Sequence, residues 1–204
     1  MYNIGVDEAG RGPMFGRVYA AAVVLPKDFD TSILKDSKKF HSKRKIDAVA
    51  DEIRKNAVAY HVSYETEETI DKINILQATQ KAMHDAILHT INNSSMNEFH
   101  LLVDGNYFNP LMAFDKQKQI FYTVPHTCVE KGDDKIHEIM AASILAKVER
   151  DAYIAELCEQ HNELVEKYGI DKNKGYGTKR HLDGIREHGI TKWHRKSFGI
   201  CKYG

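Results

Sequence analysis

Gly5-Val6-Asp7-Glu8-Ala9-Gly10-Arg11-Gly12 follows a short apolar run from Tyr2 to Val6 and leads through Pro13 into a second, Val18 to Leu25. The pattern is that of a strand ending in two carboxylates, then a turn whose backbone can come close to a ligand. Gly10 and Gly12 lack a Cβ, so each can take positive φ or leave room for another molecule. Arg11, between them, offers a fixed fork of donors suited to phosphate. Acid pair, open turn and arginine together point to a metal held against a phosphodiester. An isolated Asp-Glu-Gly would more simply be a charged turn between hairpin strands. In a regular strand Asp7 and Glu8 would face opposite ways, so they can share a site only if the backbone turns there.

Working outward, residues 2–7 and 17–25 read as two strands, and the basic loop Lys35 to Lys39 precedes a helix from Ser42 to Asn56. Its Ile46, Val49, Ala50, Ile53 and the following Ala57 fall at helical spacing. Val58 to Tyr64 alternates as a third strand, and Thr66 to Lys72 reads as a short helix. Asn74-Ile75-Leu76-Gln77 has capping-box spacing, and the helix it opens puts Leu76, Met83, Ile87 and Ile91 on one face. Phe99 to Val103 is a strand ending in the turn signal Asp104-Gly105-Asn106. Further strand runs from Ile120 to Val129, interrupted at Pro125. After Lys131-Gly132-Asp133-Asp134 the pattern predicts one long helix, Lys135 to Val165. The tail holds a turn at Gly175-Tyr176-Gly177, a helix from Thr178 to Glu187 and an irregular basic end. Strands alternating with helices give an α/β fold with a mixed sheet flanked by helices.

The 204 residues allow one large domain with an ample core. Two regions are expected: a catalytic domain over 1–165 and a basic helical region over 166–204. No run of eighteen apolar residues occurs, which excludes a transmembrane helix, and the first strand begins without a basic leader. Cys128, Cys158 and Cys201 are few and far apart, and read as reduced thiols of a cytosolic protein. Net charge is zero, but from Lys167 to Gly204 ten Lys or Arg stand against three Asp or Glu, a balance of +7. The rest of the chain therefore sums to −7. Lys35, Lys38, Lys39, Lys43, Arg44 and Lys45 form a second basic cluster against Asp36 alone. Such segregation favours a polyanion on one face and an acidic, cation-seeking site elsewhere.

Three acidic positions share one setting, a carboxylate at the mouth of an apolar strand: Asp7-Glu8, Asp104 and Asp133. Strand ends of α/β sheets gather at one edge, where sites form. Four carboxylates there would raise one another's pKa values unless cations neutralised them, and magnesium or manganese are the hard, oxygen-seeking partners. Two such ions could activate water and stabilise the leaving oxygen of a phosphodiester. Singly, Asp104 could initiate a turn, Asp133 or Asp134 could cap the long helix, and Glu8 could be solvated. Dinucleotide, phosphate-loop and zinc-protease patterns are missing. His181, His188 and His194 lie among Lys and Arg and read as polar surface or phosphate contacts. Trp193 and Phe198 read as core.

The first stretch, extended to Pro13, resembles the type 2 ribonuclease H family, and within it ribonuclease HII. So do Asp36-Ser37-Lys38-Lys39, Val103-Asp104-Gly105-Asn106, Lys131-Gly132-Asp133 and Ala141 to Val148 with Arg150-Asp151. The same holds for Gly175-Tyr176-Gly177-Thr178-Lys179, His188-Gly189, His194-Arg195 and Ser197-Phe198. These blocks span nearly the whole chain in order. The resemblance implies a ribonuclease H-like sheet with a helical C-terminal region. It implies hydrolysis of the RNA strand of RNA–DNA hybrids and cutting 5′ to ribonucleotides embedded in duplex DNA, leaving 3′-hydroxyl and 5′-phosphate ends. Asp7, Glu8, Asp104 and Asp133, rather than Asp134, match the family's metal-binding acids. Gly10, Arg11 and Gly12 match the turn that reads the ribose 2′-hydroxyl, the group that separates RNA from DNA. Tyr176 matches the tyrosine that stacks on the sugar beyond the junction, and Ser37, Lys38, Lys39 and Lys147 fall near the phosphates. With no extension before the first strand and no clamp-binding motif in the tail, a monomer without a sliding-clamp tether is expected.

Overall fold

The computed structural model describes residues 2–94, 98–115 and 118–203. Its central sheet contains β1 (Tyr2–Ala9), β2 (Val18–Val24), β3 (Ala59–Glu65), β4 (Phe99–Asp104) and β7 (His126–Val129), in the order β3-β2-β1-β4-β7. The first three are antiparallel neighbours, whereas β4 runs parallel to β1 and β7 parallel to β4. A separate hairpin joins β5 (Met112–Asp115) to β6 (Ile120–Thr123). Strand β5 was not foreseen.

Helices cover both faces of the sheet, so β2 is apolar and buried at every position instead of alternating. Ala20, Ala22 and Val24 of β2 face Ala82, Met83, Ala86 and Ile87 of α2 (Glu67–Asn92). Ala21 and Val23 face the other layer, built from α1 (Lys43–Asn56) and α3 (His137–Gln160). Helix α3 lies directly on β1. A Cβ on Gly5 would collide with the main chain of Glu138 and Ile139, so only glycine permits this approach.

Helix α2 breaks at Asn74, where φ is 67°, and the Asn74 side chain accepts from the Gln77 amide at 3.0 Å. The expected cap is therefore present. The long helix from 135 to 165 is not. Lys131 is left-handed, residues Gly132–Asp134 form a 3-10 turn, and α3 begins only at His137 behind Ile136. Neither Asp133 nor Asp134 caps it, because their carboxylates are taken by Lys38 and Lys39. Helix α3 ends at His161 (φ −135°, ψ 79°), whose ring packs on Trp193 at 4.5 Å, and α4 (Asn162–Tyr168) restarts in a new direction. Tertiary packing overrides helix periodicity here.

Helices α5 (Ile170–Asn173) and α6 (Lys179–His188) follow, and their core joins Leu164, Tyr168, Ile170 and Ile185 to Met14, Phe15, Ile154 and Leu157. Trp193 and Phe198 pack against it, as expected. His181 and His194 correct the surface reading. Both are buried, with their Nε2 atoms 3.1 Å apart. His188 alone of the three is exposed. The three cysteines are free, and among the described residues no helix is long and apolar enough to cross a membrane.

Candidate active site

The pairing of β1 with β4 ends at Val6 and Val103, while β1 runs on beside β2 to Ala9. The space on the β4 side of Asp7 and Glu8 is therefore open at the C-terminal edge of the sheet, the usual position for a site in such folds. A cavity of about 320 Å³ occupies it, lined by Asp7, Glu8, Asp104 and Asp133. The backbone does not turn at Asp7, contrary to the condition set by the sequence. Both carboxylates nevertheless line the cavity, just past the point where the pairing of β1 with β4 ends.

Burial is the first cause that raises the Asp7 carboxyl well above the usual range, with the charges of Glu8 and Asp104 adding to it. The Ser143 hydroxyl and the Glu8 amide, which donates to Asp7 Oδ1 at 2.7 Å, act the other way. Glu8 is raised chiefly by burial and also by Asp104, against the opposing guanidinium of Arg11 at 3.2 Å. Asp104 Oδ1 accepts from the Gly132 amide at 2.7 Å and the Asp133 amide at 3.4 Å, which ties the turn after β7 to the end of β4. Lys38 donates to Asp133 at 2.9 Å and supplies a cation at the rim.

An acid raised on folding is a liability as pH climbs, because the folded state holds its proton more tightly than the unfolded chain. The stability lost accumulates from the ordinary carboxylate pKa up to the raised one. Asp7→Asn is therefore expected to stabilise the metal-free protein at pH 7. A melt in chelator should therefore shift to higher temperature. An unchanged or lower melting temperature would contradict the strain between these acids.

The donors are all hard carboxylate oxygens, which suits magnesium or manganese better than zinc or copper. They ring the cavity: among the described residues no three His, Cys, Asp or Glu side chains form a ready-made coordination group. Gly10, Arg11, Gly12, Ser37, Lys38, Lys147 and Tyr176 line the same cavity. A Cβ on Gly12 would lie 3.3 Å from the Tyr176 ring, so turn and tyrosine face one another closely. The Met14 amide donates to the Gly175 carbonyl at 2.9 Å and holds the tail's turn against the first one. Lys39 is not among the lining residues and pairs with the exposed Asp134.

Sequence reasoning gave no role to Ser143, Arg150, Asp151 or Lys174, which also line the cavity. Ser143 and Ser37 are hydrogen-bonded at 3.0 Å, and Lys147 pairs with Asp151 at 2.8 Å. Positions 143, 147, 150 and 151 recur at the spacing of one helix face, a signal that could have found them.

The family model for Ribonuclease HII matches residues 4–201. A curated Ribonuclease HII from Bacteroides thetaiotaomicron is 45% identical over 204 residues, covering 100% of this chain and 92% of its own. Among solved structures, the ribonuclease H2 of Pyrococcus horikoshii OT3 superposes with a TM-score of 0.74 at 22% identity, covering 100% of this chain and 96% of that one. Bst-RNase HIII, solved in complex with Mn2+, gives a TM-score of 0.71 at 17% identity, covering 99% and 68%. At such identities the two structures speak for the fold. The full-length family match and the 45% identical relative speak for descent, and the chain belongs to the ribonuclease HII family.

Proposed function

We propose that the chain is a divalent-metal-dependent endoribonuclease that hydrolyses the RNA strand of RNA–DNA hybrids and cuts 5′ to ribonucleotides embedded in duplex DNA. The products are 3′-hydroxyl and 5′-phosphate ends. The observation that carries this reading is one cavity lined by four carboxylates on one side and by the Gly-Arg-Gly turn facing Tyr176 on the other. Acids alone would suit any phosphodiester, whereas a close-approach turn opposite an aromatic ring can inspect a sugar.

In this reading Asp7, Glu8, Asp104 and Asp133 hold magnesium or manganese. Such ions supply an activated water and stabilise the leaving oxygen. Gly10, Arg11 and Gly12 read the 2′-hydroxyl, and the exposed ring of Tyr176 stacks on the next sugar. Ser37, Lys38 and Lys147 meet phosphates, and Lys39, outside the cavity, meets a more distant one. Residues 166–204 complete the groove with their positive charge. A binding module without catalysis would be signalled by a missing acid, and all four are present.

The deciding experiment offers a DNA duplex with one ribonucleotide and a long RNA–DNA hybrid, each with magnesium, manganese or chelator. A single cut 5′ to the ribonucleotide, abolished by chelator, is the expected result. Cleavage of the hybrid alone would remove the junction specificity, and tight binding without cleavage of either would favour the binding module.

A further inference from the structure

Arg195 sits in the basic tail, yet its side chain is fully buried. Its guanidinium donates to five main-chain carbonyls: Gly10 at 2.6 Å, Arg11 at 3.0 Å, Pro13 at 2.7 Å, Gly16 at 2.8 Å and Arg17 at 3.1 Å. Its own amide donates to the Met14 carbonyl at 2.8 Å. One residue thus gathers six of the eight carbonyls from residue 10 to residue 17. The Phe198 ring lies over the guanidinium at 5.1 Å.

A trans peptide is planar, with its C=O and N–H pointing in opposite directions. Turning the Gly10 carbonyl inward therefore turns the Arg11 amide outward, and turning the Arg11 carbonyl inward does the same for the Gly12 amide. Arg11 and Gly12 are exposed and line the cavity, and among the described residues no group accepts from either amide. The flat, five-donor guanidinium can serve several carbonyls at once, whereas a lysine ammonium has three donors at a single point.

We propose that Arg195 is a positioning and specificity-determining residue, which aims the Arg11 and Gly12 amides at the ribose so that preference for a ribonucleotide depends on it. The assignment rests on the reading of the turn given under Proposed function.

The test compares affinity, in chelator, for a duplex with one ribonucleotide and for an all-DNA duplex of the same sequence. Arg195→Lys is expected to lose about tenfold of that preference, roughly one good hydrogen bond, with all-DNA affinity changed less than about twofold. Arg195→Ala is expected to lose it too and to recover part of it in millimolar methylguanidinium, a rescue that a general loss of folding would not show. Preference retained in both variants would overturn the assignment. Should both fail to fold, Phe198→Leu decides: a smaller loss of preference supports the role, and none overturns it. If the wild-type protein shows no preference, the reading of the turn has failed, and the role of Arg195 falls with it.

Discussion

Asp104→Asn is expected to slow cleavage of a duplex carrying one ribonucleotide by at least about a thousandfold, or about 4 kcal/mol of barrier. Asp104 ends β4 between the other acids. Its charge acts on both Asp7 and Glu8, and its carboxylate oxygen holds the Gly132 and Asp133 amides. Asparagine keeps the size and one carbonyl oxygen able to accept from Gly132, so the turn after β7 should survive. What it removes is negative charge at the centre of the proposed metal site. The loss should therefore appear in single-turnover rates, with affinity for the duplex changed only a few-fold. Chelator should bring the wild-type enzyme to the same low rate. Activity within tenfold of wild type would remove Asp104 from the reaction, and a collapse of affinity would make it part of the binding surface.

The second large effect concerns acid. The buried pair His181 and His194 allows one arrangement of protons. Thr191 donates its amide to His194 Nδ1 at 2.9 Å, so His194 carries its proton on Nε2 and gives it to His181 Nε2 at 3.1 Å. His181 then donates from Nδ1 to the Tyr176 carbonyl at 2.9 Å. This assignment follows from the partners, and it needs both rings neutral. A further proton on His181 would set two N–H groups against each other. Burial, and then the neighbouring His181, push His194 down to about 3, while burial chiefly lowers His181.

A base depressed on folding contributes stability that is present above its unfolded pKa of about 6.5 and lost as pH falls towards the folded value. At about 1.4 kcal/mol per unit, His194 alone should cost roughly 2 kcal/mol by pH 5 and roughly 4–5 kcal/mol near pH 3. Urea unfolding at pH 7 and pH 5 measures it. His194→Gln, less stable at neutral pH, should show a clearly smaller drop between those values. An equal drop would place the acid sensitivity elsewhere, for instance in the paired carboxylates of the surface.

Much of this architecture can be read locally. Strand β1 with its acids, the cap at Asn74, the strand before Asp104 and the turn at Gly175 each depend on neighbours within a few residues. The structure places all four acids around one cavity. What could not be read depends on distant partners. Arg195 looks like any arginine of a basic tail, and charge counting assigns it to the surface. Only the carbonyls of residues 10–17 explain its burial. His181 and His194 are adjacent through folding, not by a metal-ligand spacing. The break at His161 interrupts a helical pattern because Trp193 packs there. Asp7 and Glu8 share a cavity just past the end of the β1–β4 pairing, an edge set by the neighbouring strand.

The link between Arg195 and the first turn also has a consequence in time. The two ends of the Arg195–Arg17 contact are 178 residues apart. At ribosomal speeds of about 5–20 residues per second, roughly ten to thirty-five seconds separate synthesis of the turn from synthesis of the arginine that shapes it. Strand β1 and its acids precede Arg195 in the chain, so the carboxylates are made before the proposed sugar-reading turn can be locked. A nascent chain halted before residue 195 would carry the proposed metal ligands and the turn, but not the arginine that gathers the turn's carbonyls. On the proposed reading, selectivity waits on a residue made well after the acids.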